Sequence, residues 1–450
     1  MKTGFKKALL LTALIGVGFF PSLQSNAQTL TNLHTFAGGT GGANPYAGLV
    51  LAGDTLYGTT FGGGISEKGT VFSVNTNGGN FTVLHTFAGA TDGANPNSKL
   101  LMVGNTLYGG TFYGGGADKG VVFAISTNGI NFTNLHSFNG TDGADIDGTL
   151  IASGNVLYGT TFNGGVAGVG TVFSLHLDGS SFTNLYQFAA SNDGNRPYSG
   201  LLLAGNTLYG STEYGGTGGV GILYAVNTNG TGYTNLHNFN NTADGGNPVG
   251  GLILISNFLY GAALFGGSAN DGTIYTINTN GSGFTNLHNF TGGINGQYPE
   301  DELKLSGATL YGTTLYGGPA SVGNIFSINL DGSSYVNLHN FNGTNEQGYP
   351  YAGMILAGNT LYGTAERSAT GSGTVFGFIL PTPPSLTIAR NFTNAVVTWP
   401  TNATSYTLQS TTNLLTTAWG AASPSPVIVN GKNTVTNPVA GVRKFYRLIQ

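Results

Sequence analysis

From Lys99 to Phe138 the chain alternates short apolar runs with breaks of glycine and asparagine; the runs are Lys99 to Val103, Thr106 to Tyr108, Val121 to Ile125 and Phe132 to Phe138. Runs this short, rich in β-branched and aromatic residues and bounded by Gly or Asn, predict strands. The pair Gly104-Asn105 between the first two, like Gly53-Asp54, Gly205-Asn206 and Gly358-Asn359, suits a primed hairpin turn that needs positive φ. The whole pattern recurs. Its Leu-Tyr-Gly core starts at Leu56, Leu107, Leu157, Leu208, Leu259, Leu310 and Leu361, at intervals of 51, 50, 51, 51, 51 and 51 residues. A period that regular, in units too small to fold alone, marks a repeat architecture. Each unit predicts one antiparallel sheet of four strands, a to d.

The d strand is out of step with the other three. It occurs first at Leu30 to Phe36, ahead of any a strand, and is missing after the last unit, Gly353 to Leu380. A half-repeat offset of this kind is what a closed ring uses to bond its ends, whereas an open solenoid carries polar capping repeats. The expected fold is therefore all-β: a seven-bladed β-propeller over residues 28–381, closed by the N-terminal strand. A β-helix fits the tight hairpins poorly.

Two segments fall outside the repeat. Residues 1–27 join a basic start (Lys2, Lys6, Lys7) to an apolar stretch from Ala8 to Phe20 and small residues Ser25 and Ala27, the pattern of a signal peptide cut before Gln28. No apolar run is long enough for a transmembrane helix, and with no cysteine there can be no disulfide or lipid-modified cysteine. After Pro381-Thr382-Pro383-Pro384, residues 385–450 lose the repeat yet keep strand patterns such as Ala395 to Trp399 and Lys444 to Leu448. They predict a small β-sandwich-like domain.

Composition sharpens the picture. Only 7% of residues are charged while 40% are apolar, which suits sheets packed on both faces and not disorder. All 18 acids precede residue 381, where six Lys and Arg accompany them between residues 28 and 381, a net charge of −12; the tail has five bases and no acid. An acidic surface disfavours nucleic acid, which needs Lys and Arg on its phosphates. It suits cations, calcium-bridged glycans or a basic protein.

The repeat units resemble the GloVer tandem repeat of exported bacterial proteins described as "choice-of-anchor", through Gly-Asn-Thr-Leu-Tyr-Gly-Thr-Thr, the Gly-Gly pair after it and Gly-Thr-Val-Phe (Gly69 to Phe72, Gly170 to Phe173, Gly373 to Phe376). The resemblance implies a secreted or surface-held protein with a variable C-terminal attachment segment and no known catalysis. The tail resembles fibronectin type III modules through Val397-Thr398-Trp399 and Tyr406-Thr407-Leu408, though it is short for that domain.

Strand order puts the d-to-a and b-to-c loops on one face, and there the candidate ligand-binding residues gather. They are Phe61, Phe112, Tyr113, Phe162, Tyr214, Phe265 and Tyr316, where strand b enters its long loop, with Glu366 and Arg367 breaking the pattern in the last unit. Exposed rings beside glycines can stack on sugars; packing between blades accounts for the same rings. An enzyme would draw on Glu213 and Glu366, three units apart, and a glycosidase needs its two carboxyls within about 5–10 Å. Six histidines (His34, His85, His136, His237, His288, His339) share one strand-d position, too far apart for a metal site. Asp-Gly pairs such as Asp92-Gly93 are ordinary turn chemistry. No metal site is expected, and calcium stays an option without named ligands. The expected function is an exported, non-catalytic, monomeric scaffold on the cell surface or outside the cell, binding a glycan or a surface protein. An extracellular carbohydrate-active enzyme is the alternative.

Overall fold

The computed structural model describes residues 29–300, 302–366, 371–380, 385–401, 407–412, 419–439 and 444–449. The expected signal peptide, the Pro381 to Pro384 spacer, Tyr406 and Arg367 lie outside them. Residues 28–380 form one compact unit, and residues 381–450 belong to a second.

In the first unit the strands Val50–Ala52, Thr55–Thr60, Thr70–Asn75 and Thr82–Thr86 pair antiparallel in chain order. The same sheet recurs every repeat, and among the described residues seven four-stranded sheets lie between Thr29 and Ile379. The second and third strands are buried on both faces, which explains their unbroken apolar runs. Gly58 faces Phe72 across the ladder, and a Cβ there would sit 2.7 Å from Phe72 Cζ and 2.8 Å from Leu49 Cδ2. The aromatic ring of the third strand lies across that glycine, so Leu-Tyr-Gly and Val-Phe recur together. The first hairpin turn needs a left-handed residue: Gly53, Gly104, Gly154, Gly205, Gly307 and Gly358 supply it, and in the fifth sheet Ser256 does so at φ 56°.

Between the third and fourth strands each ladder slips at one residue, so that Val71 faces His85, Phe72 faces Val83, and Leu84 is left over. These bulged leucines pack into the apolar layers between sheets, as Leu84 does against Tyr57, Leu107 and Phe123.

The N-terminal strand Thr29–Thr35 takes the fourth place in the last sheet. It pairs antiparallel with Thr374–Ile379 and slips at Leu33, with Asn32 facing Phe376 and His34 facing Val375. That sheet packs on the first one: Ile355, Tyr362 and Val375 share an apolar layer with Phe36, Leu49, Leu56 and Phe72. Thr364 Oγ1 donates to Ala47 O at 3.1 Å.

The second unit contains Thr387–Asn391, Asn394–Pro400, Thr407–Thr411, Gly420–Ala421, Val427–Val429, Lys432–Pro438 and Phe445–Ile449. Counted in chain order, these strands form sheets 1-2-6-5 and 4-3-7. Val397, Trp399 and Val435 of one sheet and Leu408 of the other share a small core. Among the described residues no helix is long and apolar enough to cross a membrane.

Candidate binding cavity

In the loop before each first strand, one residue adopts a left-handed conformation: Asn44, Asn95, Asp145, Arg196, Asn247, Tyr298 or Tyr349, with φ between 53° and 63°. Its N–H donates to a loop of the neighbouring sheet and its carbonyl accepts from its own sheet. Asn95 donates to Lys68 O at 2.7 Å and accepts from Phe112 N at 3.1 Å; Asn44 donates to Ser372 O at 2.7 Å and accepts from Phe61 N at 2.9 Å. Asn and Asp tolerate this geometry, whereas Tyr298 and Tyr349 hold it under strain. A proline follows in six of the seven repeats, with Ile146 in the other.

The residue after that is the one that faces inward. Tyr46, Asn97, Asp147, Tyr198, Val249, Glu300 and Tyr351, one from each repeat, all line a single cavity of about 650 Å³. Two residues further on, the lining is mostly glycine (Gly48, Gly200, Gly251, Gly353), relieved by Lys99, Thr149 and Glu302. A ring of polar and aromatic side chains thus stands above a layer that leaves room.

The polar groups are linked in pairs. Tyr46 donates its hydroxyl to Glu366 Oε1 at 2.8 Å, and Tyr198 donates to Glu300 Oε1 at 3.3 Å. Asn97 Nδ2 donates to Asp147 Oδ1, and Glu302 meets Lys304 at 2.7 Å and Lys99 at 3.9 Å. Burial pushes the Asp147 carboxyl up to about 7; the Asn97 bond opposes this, and the charges of Glu213 and Asp145 add to it. Asp147 is half-buried, and the cavity runs past it. The Tyr198 phenol is held well above its ordinary range, first by the charge of Asp147, then by burial and by Glu300 and Glu213. Burial raises Glu213, against the bond from Tyr214 and the charge of Arg196.

Of the rings singled out from the sequence, Phe61 lines the cavity and meets Tyr46 edge-on at 5.2 Å, and Tyr46 meets Tyr351 at 5.2 Å and 83°. Phe112 touches Tyr113 at 4.8 Å and Phe162 at 6.3 Å, and Phe162 reaches Tyr198 at 6.0 Å. Phe265, Tyr298, Tyr316 and Tyr349 make a further arc, at 5.1, 5.7 and 5.4 Å. Most of them pack edge-on against tyrosines of the inward-facing loops, Tyr46, Tyr198, Tyr298 and Tyr349, and of the seven only Tyr113 (43%) and Tyr214 (36%) are exposed. Arg196 covers Phe162 and Tyr214 at 5.2 and 5.5 Å. Glu366 is 2% exposed behind Tyr46. Glu213 and Glu366 act on different arcs, Glu213 on Asp147 and Tyr198, Glu366 on Tyr351.

Many loop acids are engaged elsewhere. His85 Nε2 and Asp92 Oδ2 are 3.1 Å apart, and the same pairing joins His136 to Asp142, His237 to Asp244 and His339 to Glu346. Where Tyr186 replaces the histidine, its hydroxyl donates to Asp193 at 3.0 Å. An ionised carboxylate only accepts, so Nε2 carries the proton. Among the described residues no three His, Asp or Glu side chains are placed to hold a metal.

The cavity ring escaped sequence reasoning because its position holds five residue types: Tyr in three repeats, and Asn, Asp, Val and Glu in the others. The proline before it was the available signal.

Two stretches, residues 15–224 and 208–424, match the model of the family described as Gloeobacter/Verrucomicrobia repeat. No curated protein matches. Among solved structures, an oligogalacturonate lyase in complex with manganese is similar at 14% identity and TM-score 0.52, over 80% of this chain and 95% of that one. A protein described as the extracellular domain of a one component system from B. thetaiotaomicron aligns at 10% identity and TM-score 0.53, over 83% of this chain and 45% of that one. These likenesses concern the propeller-like fold alone.

Proposed function

Since the chain belongs to the Gloeobacter/Verrucomicrobia repeat family, we propose that it is an exported, non-catalytic scaffold that binds a glycan of the cell surface or its surroundings in the cavity lined by all seven repeats. The observation that carries this reading is that equivalent positions of seven repeats meet around one space. Aromatic walls beside fixed carboxylate and amide groups are the chemistry that receives a sugar. Closure of the sheets into a seven-bladed ring is part of the proposal. Its support is the fourth strand lent by Thr29–Thr35 and the bond from Asn44 to Ser372.

Within the same reading, residues 1–27 act as the signal peptide and the tail as an attachment module. The tail's order 1-2-6-5 and 4-3-7 is that of strands A-B-E-D and C′-C-F in immunoglobulin-type sandwiches, which supports the fibronectin-like resemblance.

The test is electrophoresis of the chain from Gln28 in native gels containing soluble polysaccharides. Retardation by one intact polymer, lost on Asp147→Asn or Tyr351→Ala substitution, is the expected outcome; no retardation in any gel removes the reading. A second reading, a carbohydrate-active enzyme, is favoured by one observation: Asp147 lines the cavity, where burial raises its carboxyl toward the range of a general acid. New reducing ends, lost in Asp147→Asn, would select it.

A further inference from the structure

We propose that the second unit carries a binding site of its own: the outer face of its three-stranded sheet, where Arg447, Gln409 and Trp419 meet, takes a uronic-acid residue of an acidic polysaccharide. This rests on the reading of the tail as an attachment module and names what the tail attaches to.

The sheet orders its strands Gly420–Ala421, Thr407–Thr411 and Phe445–Ile449. Gln409 faces Ala421 on one side and Arg447 on the other. Leu408 and Leu448, their neighbours along the chain, belong to the small core, so strand alternation turns Gln409 and Arg447 to the opposite face. There Arg447 Nε donates to Gln409 Oε1 at 2.9 Å, and the guanidinium carbon sits 4.4 Å from the centre of the Trp419 ring. The chain's other tryptophan, Trp399, fills the core, whereas Trp419 backs an exposed arginine. A guanidinium held on two sides has little rotamer freedom left to lose on binding.

This arrangement leaves only donors. Gln409 has given its oxygen to Arg447, so its Nε2 group can only donate; Arg447 keeps Nη1 and Nη2, and Trp419 keeps its indole N–H. None of these meets an acceptor among the described residues, and residues 381–450 contain five Lys and Arg with no Asp or Glu. A basic face with donors and no acceptor suits an acceptor-rich anion. The two Nη groups form the end-on fork that a carboxylate fills with two parallel bonds. The amide and indole N–H groups beside it suit the hydroxyls of a sugar, and a uronic acid carries carboxylate and hydroxyls on one ring. Single-stranded nucleic acid calls for free ring faces on which bases stack, and the Trp419 ring has Arg447 over it.

Biolayer interferometry of the chain from Gln28 tests the site on four surfaces: polygalacturonate, its fully methyl-esterified form, single-stranded DNA and phosphatidylglycerol vesicles. The expected result is capture by polygalacturonate, about tenfold or more weaker on the ester, with a similar loss in Arg447→Lys, which keeps the charge and gives up the fork. Arg390→Gln removes one charge from the other sheet and should change capture by less than about twofold. Gln409→Glu keeps an acceptor for Arg447 Nε but removes a donor and adds negative charge, so capture should vanish while the unfolding midpoint is held or raised. Capture retained in Gln409→Glu, equal capture by the ester, or a loss in Arg390→Gln as large as that in Arg447→Lys overturns the site. Tighter capture by vesicles or DNA, lost in Arg447→Lys, overturns the polysaccharide and leaves the attachment reading standing. Capture that fails only in Asp147→Asn belongs to the cavity and overturns the tail site alone. Silence on all four surfaces overturns both the site and the attachment reading.

Discussion

His34 lies flat on Phe81, with ring centroids 3.6 Å apart and planes 4° from parallel. His34 belongs to the strand that completes the last sheet, and Phe81 precedes the fourth strand of the first. The same stacking joins His85 to Phe132, His136 to Phe182, Tyr186 to Tyr233, His237 to Phe284 and His288 to Tyr335, at 3.9 to 4.1 Å. A double-mutant cycle of His34→Ala and Phe81→Ala in urea unfolding should show a coupling of about 0.5–1.5 kcal/mol. Strict additivity would mean that the first and last sheets do not meet in solution.

Among the described residues His288 has no acid partner. Its ring is half-buried, its Nε2 is enclosed with no hydrogen-bond partner among the described residues, and burial lowers its titration to about 4. The folded protein therefore resists protonating it, so this group's share of stability is whole above about 6.5 and is lost as pH falls toward 4. Asn295 stands seven residues on, where Asp244 stands relative to His237. Asn295→Asp should raise the His288 titration and add about 1 kcal/mol below pH 6. Histidine NMR titration and acid unfolding check it.

Asp147 works in the opposite sense. Its carboxyl is raised from 3.8 to about 7, so the folded state keeps a proton that the unfolded chain gives up, and stability falls as pH climbs between those values. Three units at about 1.4 kcal/mol each set a ceiling of ~4 kcal/mol. Asp147→Asn should flatten this slope and raise the unfolding midpoint at pH 8. An unchanged slope between pH 4 and 7 would contradict the placement of this carboxyl.

Ser256 does with a side chain what glycine does at six equivalent turns, at φ 56°. Ser256→Gly should stabilise by about 0.5–1 kcal/mol, since relief of left-handed strain exceeds the added freedom of the unfolded chain. Thermal unfolding measures it.

Strands, hairpins and the displaced N-terminal strand were legible because they obey local rules repeated seven times. Gly58 beneath Phe72 shows why: a residue forced by its neighbour's ring recurs wherever the ring does. The cavity was not legible in the same way. Tyr46, Asn97, Asp147 and Glu300 share a position but no chemistry, and what aims them inward is a left-handed residue whose two bonds tie different sheets together. The rings that drew attention in the sequence pack mostly against tyrosines of the cavity loops, among them Tyr46, Tyr198, Tyr298 and Tyr349. The carboxylates at the strand ends, Glu213 and Glu366, supply potential to a space whose walls come from elsewhere.

The strand Thr29–Thr35 also has a consequence in time. It is made before every other strand of its unit, and its ladder partner, Thr374–Ile379, is made after all the rest. Until residue 379 has been added the strand lacks its ladder partner, and Leu33 and Phe36 have only the first sheet to lie on. A fragment halted anywhere earlier therefore carries an unmatched, sticky end at its very start. The molecule thus has a built-in test of its own completeness, read at the end opposite the one where synthesis stopped.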